Sequence, residues 1–342
     1  MTTEVLLPTP ENIERAAQVI AQGGLVGMPT ETVYGLAADA LNETAVLGIF
    51  KAKSRPADNP LIVHIDALEQ LEILTQGIDA PYVRPLIDAF WPGPLTLILP
   101  KSNRVPDAVT AGLNTVAVRM PDHPVARELI RRAKTPIAAP SANQSGKPSP
   151  TCAEHVYDDM NGRIPIILDA GPCAVGIEST VLDVSGDVPR ILRPGAVTRE
   201  MVAAIAGDAA AEPITAAVSA NRPKSPGMKY RHYAPDGSLT LFRGGPAAVS
   251  RAIIERYDQN PSESAVLALP KHRALYGNRR VFTLGEGDSM EDAAAGLFSA
   301  LRLMDKERIR CIYAEAVGES QLGSAVMNRL LMAAAFHVVD AE

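Results

Sequence analysis

Seven short polar segments carry the residue types with which this chain could do chemistry. Pro29-Thr-Glu-Thr-Val-Tyr-Gly35 places two hydroxyls, a carboxylate and a phenol directly after an apolar run. Taken alone it is either a binding loop or a turn with a helix cap, because Thr and Glu serve both. Phe50-Lys-Ala-Lys-Ser-Arg-Pro-Ala-Asp-Asn-Pro-Leu61 crowds Lys51, Lys53 and Arg55 at a helix end, where the dipole alone favours cations. Pro56 and Pro60 stiffen the loop that follows, and a stiff loop displaying Lys53, Arg55 and Asn59 suits an anionic ligand. His64 sits inside the apolar run Leu61–Ile65, so its ring needs a hydrogen-bond partner or a ligand.

In Asn114-Thr-Val-Ala-Val-Arg-Met-Pro121, period two puts Thr115, Ala117 and Arg119 on one strand face. Arg119 is there either solvated, paired, or free to clamp a carboxylate through two nitrogens. Ala138-Ala-Pro-Ser-Ala-Asn-Gln-Ser-Gly-Lys-Pro-Ser-Pro150 is rich in small and hydroxyl residues. It is a plain surface turn, or a loop that offers N–H, Ser and Asn groups to phosphate or sugar. Gly176-Ile-Glu-Ser-Thr180 and Leu192-Arg-Pro-Gly195 complete the set, each beside a strand.

The usual catalytic signatures are missing. The chain has no GxxxxGK[ST], no GxSxG and no HExxH, and Gly285-Glu-Gly287 fails the dinucleotide fingerprint at its third glycine. The six histidines lack metal-ligand spacing. Cys152, Cys173 and Cys311 form no CxxC pair, which argues against a disulfide framework or a cysteine zinc site and fits a reducing cytosol.

The elements that must position these segments follow from patterning. The chain has 342 residues, 46% hydrophobic and 21% charged, which predicts about two ordinary globular domains. A net charge of -6 argues against a nucleic-acid coat. No apolar run spans a bilayer and residues 1–10 show no secretory pattern, so a cytoplasmic protein without membrane contact is expected. Residues 1–207 carry 17 basic and 23 acidic residues, whereas residues 208–342 carry 16 of each. The change falls in a weakly patterned stretch followed by Arg222-Pro-Lys-Ser-Pro-Gly-Met-Lys-Tyr-Arg-His-Tyr-Ala-Pro235, so 208–236 reads as a linker between domains 1–207 and 237–342.

The first domain alternates helix and strand. Thr9 and Pro10 open a helix with apolar face Ile13, Ala16, Ala17 and Ile20, and Gly23-Gly24 ends it. Asn42 caps a second helix to about Lys51, and Asp66 is expected to cap another. Further helices are predicted at 81–90, 123–133 and 151–160. Strands are predicted at 25–28, 61–65, 95–99, 116–119, 136–139, 164–168, 180–184 and 190–193. The second domain predicts strands at 239–242, 265–269, 281–283 and 310–314 and helices at 246–257, 290–304 and 322–335, a small open α/β sheet, Rossmann-like in the loose sense.

Together the seven segments resemble the threonylcarbamoyl-AMP synthase family, the YrdC-like proteins of tRNA modification. The matching stretches are PTETVYGL at 29–36, Lys53-Ser-Arg55, NPLIVHI at 59–65, WPGPLT at 91–96, VAVRMP at 116–121, APSANQSG at 139–146, IESTV at 177–181 and LRPG at 192–195. The pair of Lys53-Ser-Arg55 with Ser141-Ala-Asn143 is the family hallmark. SPGMKYRHYAP at 225–235 matches the linker of the long, two-domain members. The resemblance implies a YrdC-like twisted mixed α/β sheet domain followed by a smaller Rossmann-like α/β domain.

It also implies an activity: L-threonine, bicarbonate or CO2, and ATP give threonylcarbamoyl-AMP and pyrophosphate. A separate transfer complex would then modify the anticodon-adjacent adenosine of tRNAs reading codons that begin with A. Direct contact with tRNA is allowed but not required. By motif, Thr32, His64, Arg119, Ser141 and Ser179 would hold threonine. Lys53, Arg55, Asn59, Thr115, Ala139, Asn143, Ser149, Arg193 and Tyr230 would hold the nucleotide, with Lys53 and Arg55 assisting the reaction. Both reactants are anionic, so positioned cations are the main requirement and no protein nucleophile is needed. Mg2+ would accompany the triphosphate without a dedicated protein site. The rivals are an RNA-binding module without catalysis, which the low aromatic content of 4% disfavours, and a hydrogenase-maturation factor, whose extra zinc-finger and acylphosphatase-like regions this chain lacks.

Overall fold

The structure, a computed structural model, describes residues 1–78, 80–207, 210–211 (backbone only) and 232–342. The chain divides into two compact units. One comprises Met1–Ser145, Pro150–Ala174 and Glu178–Tyr230, the other Gly146–Ser149, Val175–Ile177 and Arg231–Glu342.

The first unit is built on one mixed sheet. Its strands are β1 (Glu4–Leu6), β2 (Val26–Met28), β3 (Gly35–Asp39), β4 (Ile62–His64), β5 (Leu95–Pro100), β6 (Thr115–Arg119), β7 (Ile137–Ala138), β8 (Ile166–Leu168), β9 (Thr180–Asp183), β10 (Arg190–Arg193) and β11 (Ala210–Ala211). Their order is β1-β8-β2-β3-β7-β4-β6-β5-β9-β10-β11. The pairs β4–β6 and β5–β9 run parallel, whereas β2–β3, β3–β7, β4–β7, β5–β6 and β9–β10 run antiparallel. The expected strands are present, together with β1, β3 and β11, the last inside the stretch read as linker.

β3 carries no β-branched signal: its sequence is Gly-Leu-Ala-Ala-Asp. It is a strand because β2 and β7 pair with it from both sides. Its first residue must be small, since a Cβ on Gly35 would lie 3.1 Å from the Cβ of Ala139.

Caps set the helices. Thr9 accepts the N–H of Asn12 and starts Pro10–Ala21, which buries Ile13, Ala16, Ala17 and Ile20 as its spacing predicts. Asn42 accepts the N–H of Ala45 and starts Glu43–Lys53, and Ser54 ends it in the left-handed region at φ 52°. Asp66 does not cap a helix. A short 3-10 turn, Leu68–Gln70, precedes Leu71–Leu74, and Gln70 folds back so that its side chain accepts the N–H of Asp66 at 2.9 Å. Arg199–Ala206, capped by Thr198, is a helix that patterning did not suggest.

The two faces of the central strands differ. Val63, Leu97, Leu99, Val116, Val118 and Leu182 join the main core with residues of Glu43–Lys53 and Val83–Phe90. On the opposite face Ile62, Ala117, Ile98 and Val181, with Leu192 beside them, form a small cluster of strand residues alone. The helices Pro10–Ala21 and Pro124–Ala133 pack on β2, β3, β7 and β8 instead. The sheet therefore presents an apolar floor, and the polar residues of the same face stand at its ends.

In the second unit five strands lie parallel in the order Val281–Thr283, Ser264–Ala268, Cys311–Glu315, Ser238–Arg243, Val338–Asp340. The helices Pro246–Tyr257, Met290–Lys306 and Leu322–Ala333 connect them. The open α/β reading holds, with Val338–Asp340 as an added edge strand. Gly285 and Gly296 let the turn after Val281–Thr283 lie on helix Met290–Lys306: a Cβ on Gly285 would meet Asp292 O at 2.2 Å. Gly285 of the failed dinucleotide fingerprint thus serves packing. Buried Glu315 takes the N–H of Leu269 at 3.1 Å, His272 Nδ1 at 2.8 Å and the Tyr276 hydroxyl at 2.6 Å, fixing the turn Pro270–Tyr276.

Candidate active site

Period two along β4 and β6 turns Ile62 and His64, and Thr115, Ala117 and Arg119, toward the apolar floor. The parallel register sets His64 beside Arg119. At a rise of about 3.3 Å per residue, Thr115 lies roughly 13 Å from Arg119 along the strand, a span that admits an amino acid joined to a nucleotide phosphate.

Arg119 is 3% exposed and held on three sides. Its Nε donates to Gly93 O at 3.1 Å, its Nη1 donates to Thr32 Oγ1 at 2.8 Å, and its Nη2 lies 2.5 Å from Glu31 Oε1. Of the outcomes open for this arginine, the solvated one is excluded. Thr32 is delivered by a turn. Thr30 Oγ1 accepts the N–H groups of Thr32 and Val33 and donates to Val33 O at 2.6 Å. Its proton is committed there, so in the 2.9 Å contact between the two hydroxyls Thr32 is the donor. The segment 29–35 is thus both the turn and the clamp that its residue types allowed.

His64 is buried, and burial first and Arg119 second drive its imidazole down to about 3, partly offset by the backbone of Ile62 and Ile137. It stands neutral beside the guanidinium, a hydrogen-bonding group without charge. Burial likewise pushes the Cys173 thiol up to about 12, so it offers no thiolate.

Lys53 is not displayed on the loop as expected. It is the last residue of its helix and only 2% exposed. Its Nζ donates to Ser141 O and to Asn143 O, the latter at 2.6 Å, and lies 3.5 Å from Asn143 Oδ1. Its own carbonyl accepts the N–H of Ser145 at 3.1 Å. The ammonium is therefore the tie that shapes the 139–145 loop. That loop is also seated by Ala139 N on Ile62 O at 3.0 Å, by Ala142 N on Tyr34 O at 2.8 Å and by the bridge between Ser141 and Gly35. Asn143 turns its Nδ2 onto Gln144 O.

Arg55 lies past the helix end, with Nη2 donating to Asn59 O at 3.2 Å and the guanidinium 5.6 Å over the Phe50 ring. Asn59 is fully buried, and neither its side-chain oxygen nor its nitrogen has a hydrogen-bond partner among the described residues. A buried amide left open in this way is suited to a ligand.

Ser179 precedes β9. Its hydroxyl is 2.8 Å from Thr96 Oγ1, and Arg193 grips it: Nε and Nη2 donate to Ser179 O at 3.1 and 3.0 Å, and Nη2 reaches Ser179 Oγ at 3.2 Å. The first unit therefore brings Thr32 and His64 to Arg119, Ser141 and Asn143 to Lys53, Asn59 to Arg55, and Ser179 to Arg193. Ser149 is fully buried and is grouped with the second unit. Tyr230 and most of the 208–236 linker lie outside the described residues. Sequence reading passed over Glu31, Thr30 and Thr96. Their signal was their place inside the PTET and WPGPLT stretches, where every polar side chain of a buried turn must find a partner.

The arrangement offers a guanidinium clamp with hydroxyls around it, a neutral imidazole, and an ordered loop of carbonyl and N–H groups beside a second guanidinium. Comparison with known proteins agrees with that chemistry. Residues 18–195 match the Sua5, YciO and YrdC family model, described as telomere recombination, and residues 197–335 match the threonylcarbamoyl-AMP synthase C-terminal domain. The chain is 46% identical to the threonylcarbamoyl-AMP synthase of Bacillus subtilis (strain 168) over 338 residues, covering 98% of this chain and 97% of that one. It is also 46% identical to the threonylcarbamoyl-AMP synthase of Pyrococcus abyssi over 343 residues, covering 98% and 99%. The crystal structure of P. abyssi Sua5 complexed with L-threonine matches with TM-score 0.91 at 46% identity over 96% of both chains.

Proposed function

The chain belongs to the threonylcarbamoyl-AMP synthase family, and we propose that the polar face of β4 and β6, with the loop that Lys53 ties, is where it joins L-threonine, bicarbonate or CO2, and ATP into threonylcarbamoyl-AMP and pyrophosphate. The observation that carries this assignment is the buried Arg119–Thr32 clamp lying beside neutral His64 on one sheet face. A buried guanidinium suits the α-carboxylate of threonine. Thr32, Ser141 and Ser179 offer hydroxyls for its amine and side chain, and His64 takes a hydrogen bond without adding a second positive charge beside the ammonium.

Arg55, the open amide of Asn59, Thr115, the backbone of Ala139, Asn143 and Arg193 make up the nucleotide side. The amine of threonine, as neutral R–NH2 after its ammonium gives one proton to solvent, bonds to the carbon of CO2 and releases one further proton to solvent, giving a carbamate. A carbamate oxygen then bonds to the α-phosphorus of ATP, and the bond from that phosphorus to the bridging oxygen breaks as pyrophosphate leaves. The negative charge of that step falls near Arg55, while Lys53 keeps the 139–145 loop in the shape that receives the phosphates. ATP enters as its Mg2+ complex.

The product is passed to a separate tRNA threonylcarbamoyl-transfer complex, and the protein works in the cytoplasm. Among the described residues no helix is long and apolar enough to cross a membrane. The family relation favours catalysis over an RNA-binding module. Incubation with threonine, bicarbonate and MgATP should yield threonylcarbamoyl-AMP and pyrophosphate together. Pyrophosphate release that continues unchanged without threonine would reduce the protein to a plain ATPase and sink the assignment.

A further inference from the structure

Glu31 stands between the two threonines of the clamp turn and has no part in the roles above. It is 8% exposed. Its Oε1 does two things at once: it lies 2.5 Å from Arg119 Nη2 and accepts the N–H of Asp122 at 3.1 Å. Its Oε2 is buried without a hydrogen-bond partner. One oxygen of the carboxylate thus meets both the Asp122 backbone and the guanidinium.

Two hydrogen bonds hold the plane of that guanidinium, Gly93 O at Nε and Thr32 Oγ1 at Nη1, and the Glu31 carboxylate lies against Nη2 as an ion pair without hydrogen-bond geometry. A plane matters here because an arginine grips a carboxylate through two parallel N–H bonds, and a small rotation leaves only one of them aligned. Gly93 and Thr32 hold one edge and one corner, and Glu31 fixes the remaining corner. It also supplies the opposite charge that a guanidinium this deeply buried requires before a ligand arrives.

We propose that Glu31 is a positioning residue: through Nη2 it holds the Arg119 guanidinium at the angle that receives the threonine α-carboxylate, and so sets the selection for an α-amino acid over the amino alcohol that lacks the carboxylate. The inference rests on the reading of Arg119 as the carboxylate site. A purely structural ion pair would lock the 29–33 turn to β6 and affect every ligand alike. A positioning group affects only ligands that carry the carboxylate.

The test uses L-threonine and L-threoninol, which keeps the amine and the hydroxyl but replaces the carboxylate with CH2OH. Binding of both is measured by calorimetry on the full chain for wild type, Glu31→Gln and Glu31→Asp, together with kcat and KM for threonine and ATP. Gln keeps the acceptor for the Asp122 N–H, so the turn stays closed while the charge goes. Glu31→Gln should weaken threonine about tenfold, through loss of the negative charge that holds Nη2, and change threoninol less than about twofold. KM for threonine should rise more than kcat falls, KM for ATP should hold, and Glu31→Asp should recover part of the loss. Threonine affinity kept by Glu31→Gln, or an equal loss for both ligands, overturns the proposal. Should Glu31→Gln fail to fold, Glu31→Asp carries the same comparison. A wild type that binds both ligands equally removes the carboxylate reading of Arg119 itself. Discrimination in the wild type that survives in Glu31→Gln removes only the role of Glu31.

Discussion

Lys53 Nζ lies 2.6 Å from the backbone carbonyl of Asn143 and also donates to that of Ser141. The lysine and the Ser-Ala-Asn loop therefore form one object: a buried ammonium at a helix end holds the carbonyls of the loop, and the loop's N–H groups and side chains are left for a ligand. The two halves of the family hallmark are joined by this contact. A cation at this position in sequence reads as a phosphate ligand, but its burial makes it a structural tie first.

Lys53→Met should therefore lose stability and activity together. It removes charge-assisted bonds and leaves two carbonyls short of a donor, a cost of about 3 kcal/mol. Urea denaturation should show the midpoint shift, and synthesis of threonylcarbamoyl-AMP should fall by at least about a hundredfold, since a misplaced loop alone costs that much. A variant that keeps its midpoint and loses only activity would return Lys53 to the role of a direct phosphate ligand.

Arg55→Ala should separate the two effects. Arg55 lies past the helix end, where it donates to Asn59 O and covers Phe50, so the fold should lose about 1 kcal/mol. If Arg55 stabilises the charge that develops at the α-phosphate, kcat/KM should fall by about two to three orders of magnitude. Stopped assays of pyrophosphate release at saturating threonine measure this. Near-normal turnover would remove Arg55 from the reaction.

How legible these features were depends on the range over which each is determined. Helix Pro10–Ala21 was readable to within a residue because its cap, first-turn proline and apolar spacing are all local. β3 was not, because Gly-Leu-Ala-Ala-Asp is a strand only through its neighbours β2 and β7. The one-face reading of Thr115, Ala117 and Arg119 followed from period two and holds. The partners of Arg119 did not follow, since Glu31 and Gly93 reach it only after the sheet has formed. The burial of Lys53 did not follow either: nothing near it in sequence announces that a loop from the far side of β6 will fold over its ammonium. The resemblance to a known family supplied the role of each motif, and the structure supplies which motif touches which.

Removing Mg2+ should stop the reaction without loosening the protein. The ion is proposed to enter on the phosphates of ATP, so EDTA should abolish pyrophosphate release and added Mg2+ should restore it. Threonine binding measured without nucleotide, and the melting temperature, should be unmoved by EDTA. A fall of several degrees in Tm on chelation would point to an ion held by the protein itself.

The acid limb of stability should carry the signature of His64. Its imidazole is held at about 3 in the folded chain, against an ordinary value of 6.5, chiefly by burial and secondly by Arg119. The unfolded chain therefore takes up a proton below pH 6.5 that the folded chain refuses until about pH 3. The stability that neutral His64 allows is complete above pH 6.5 and drains away as pH falls toward 3, at up to about 1.4 kcal/mol per pH unit. Most Glu and Asp residues add their own slopes below about pH 5, and Asp305, raised by burial to about 6, and His123, lowered by burial, titrate nearer neutrality, so the His64 part is read between pH 5 and 6.5 as the difference between wild type and variant. Urea denaturation across that window should give a wild-type free energy that declines with falling pH. In His64→Gln the decline should be shallower by about that slope, whatever the variant's absolute stability, because glutamine has no proton to gain. Threonine binding should weaken in the same variant, since the ring beside Arg119 is gone. Parallel wild-type and variant slopes would mean that the imidazole charges inside the fold, and the picture of a neutral ring next to the guanidinium would have to be given up.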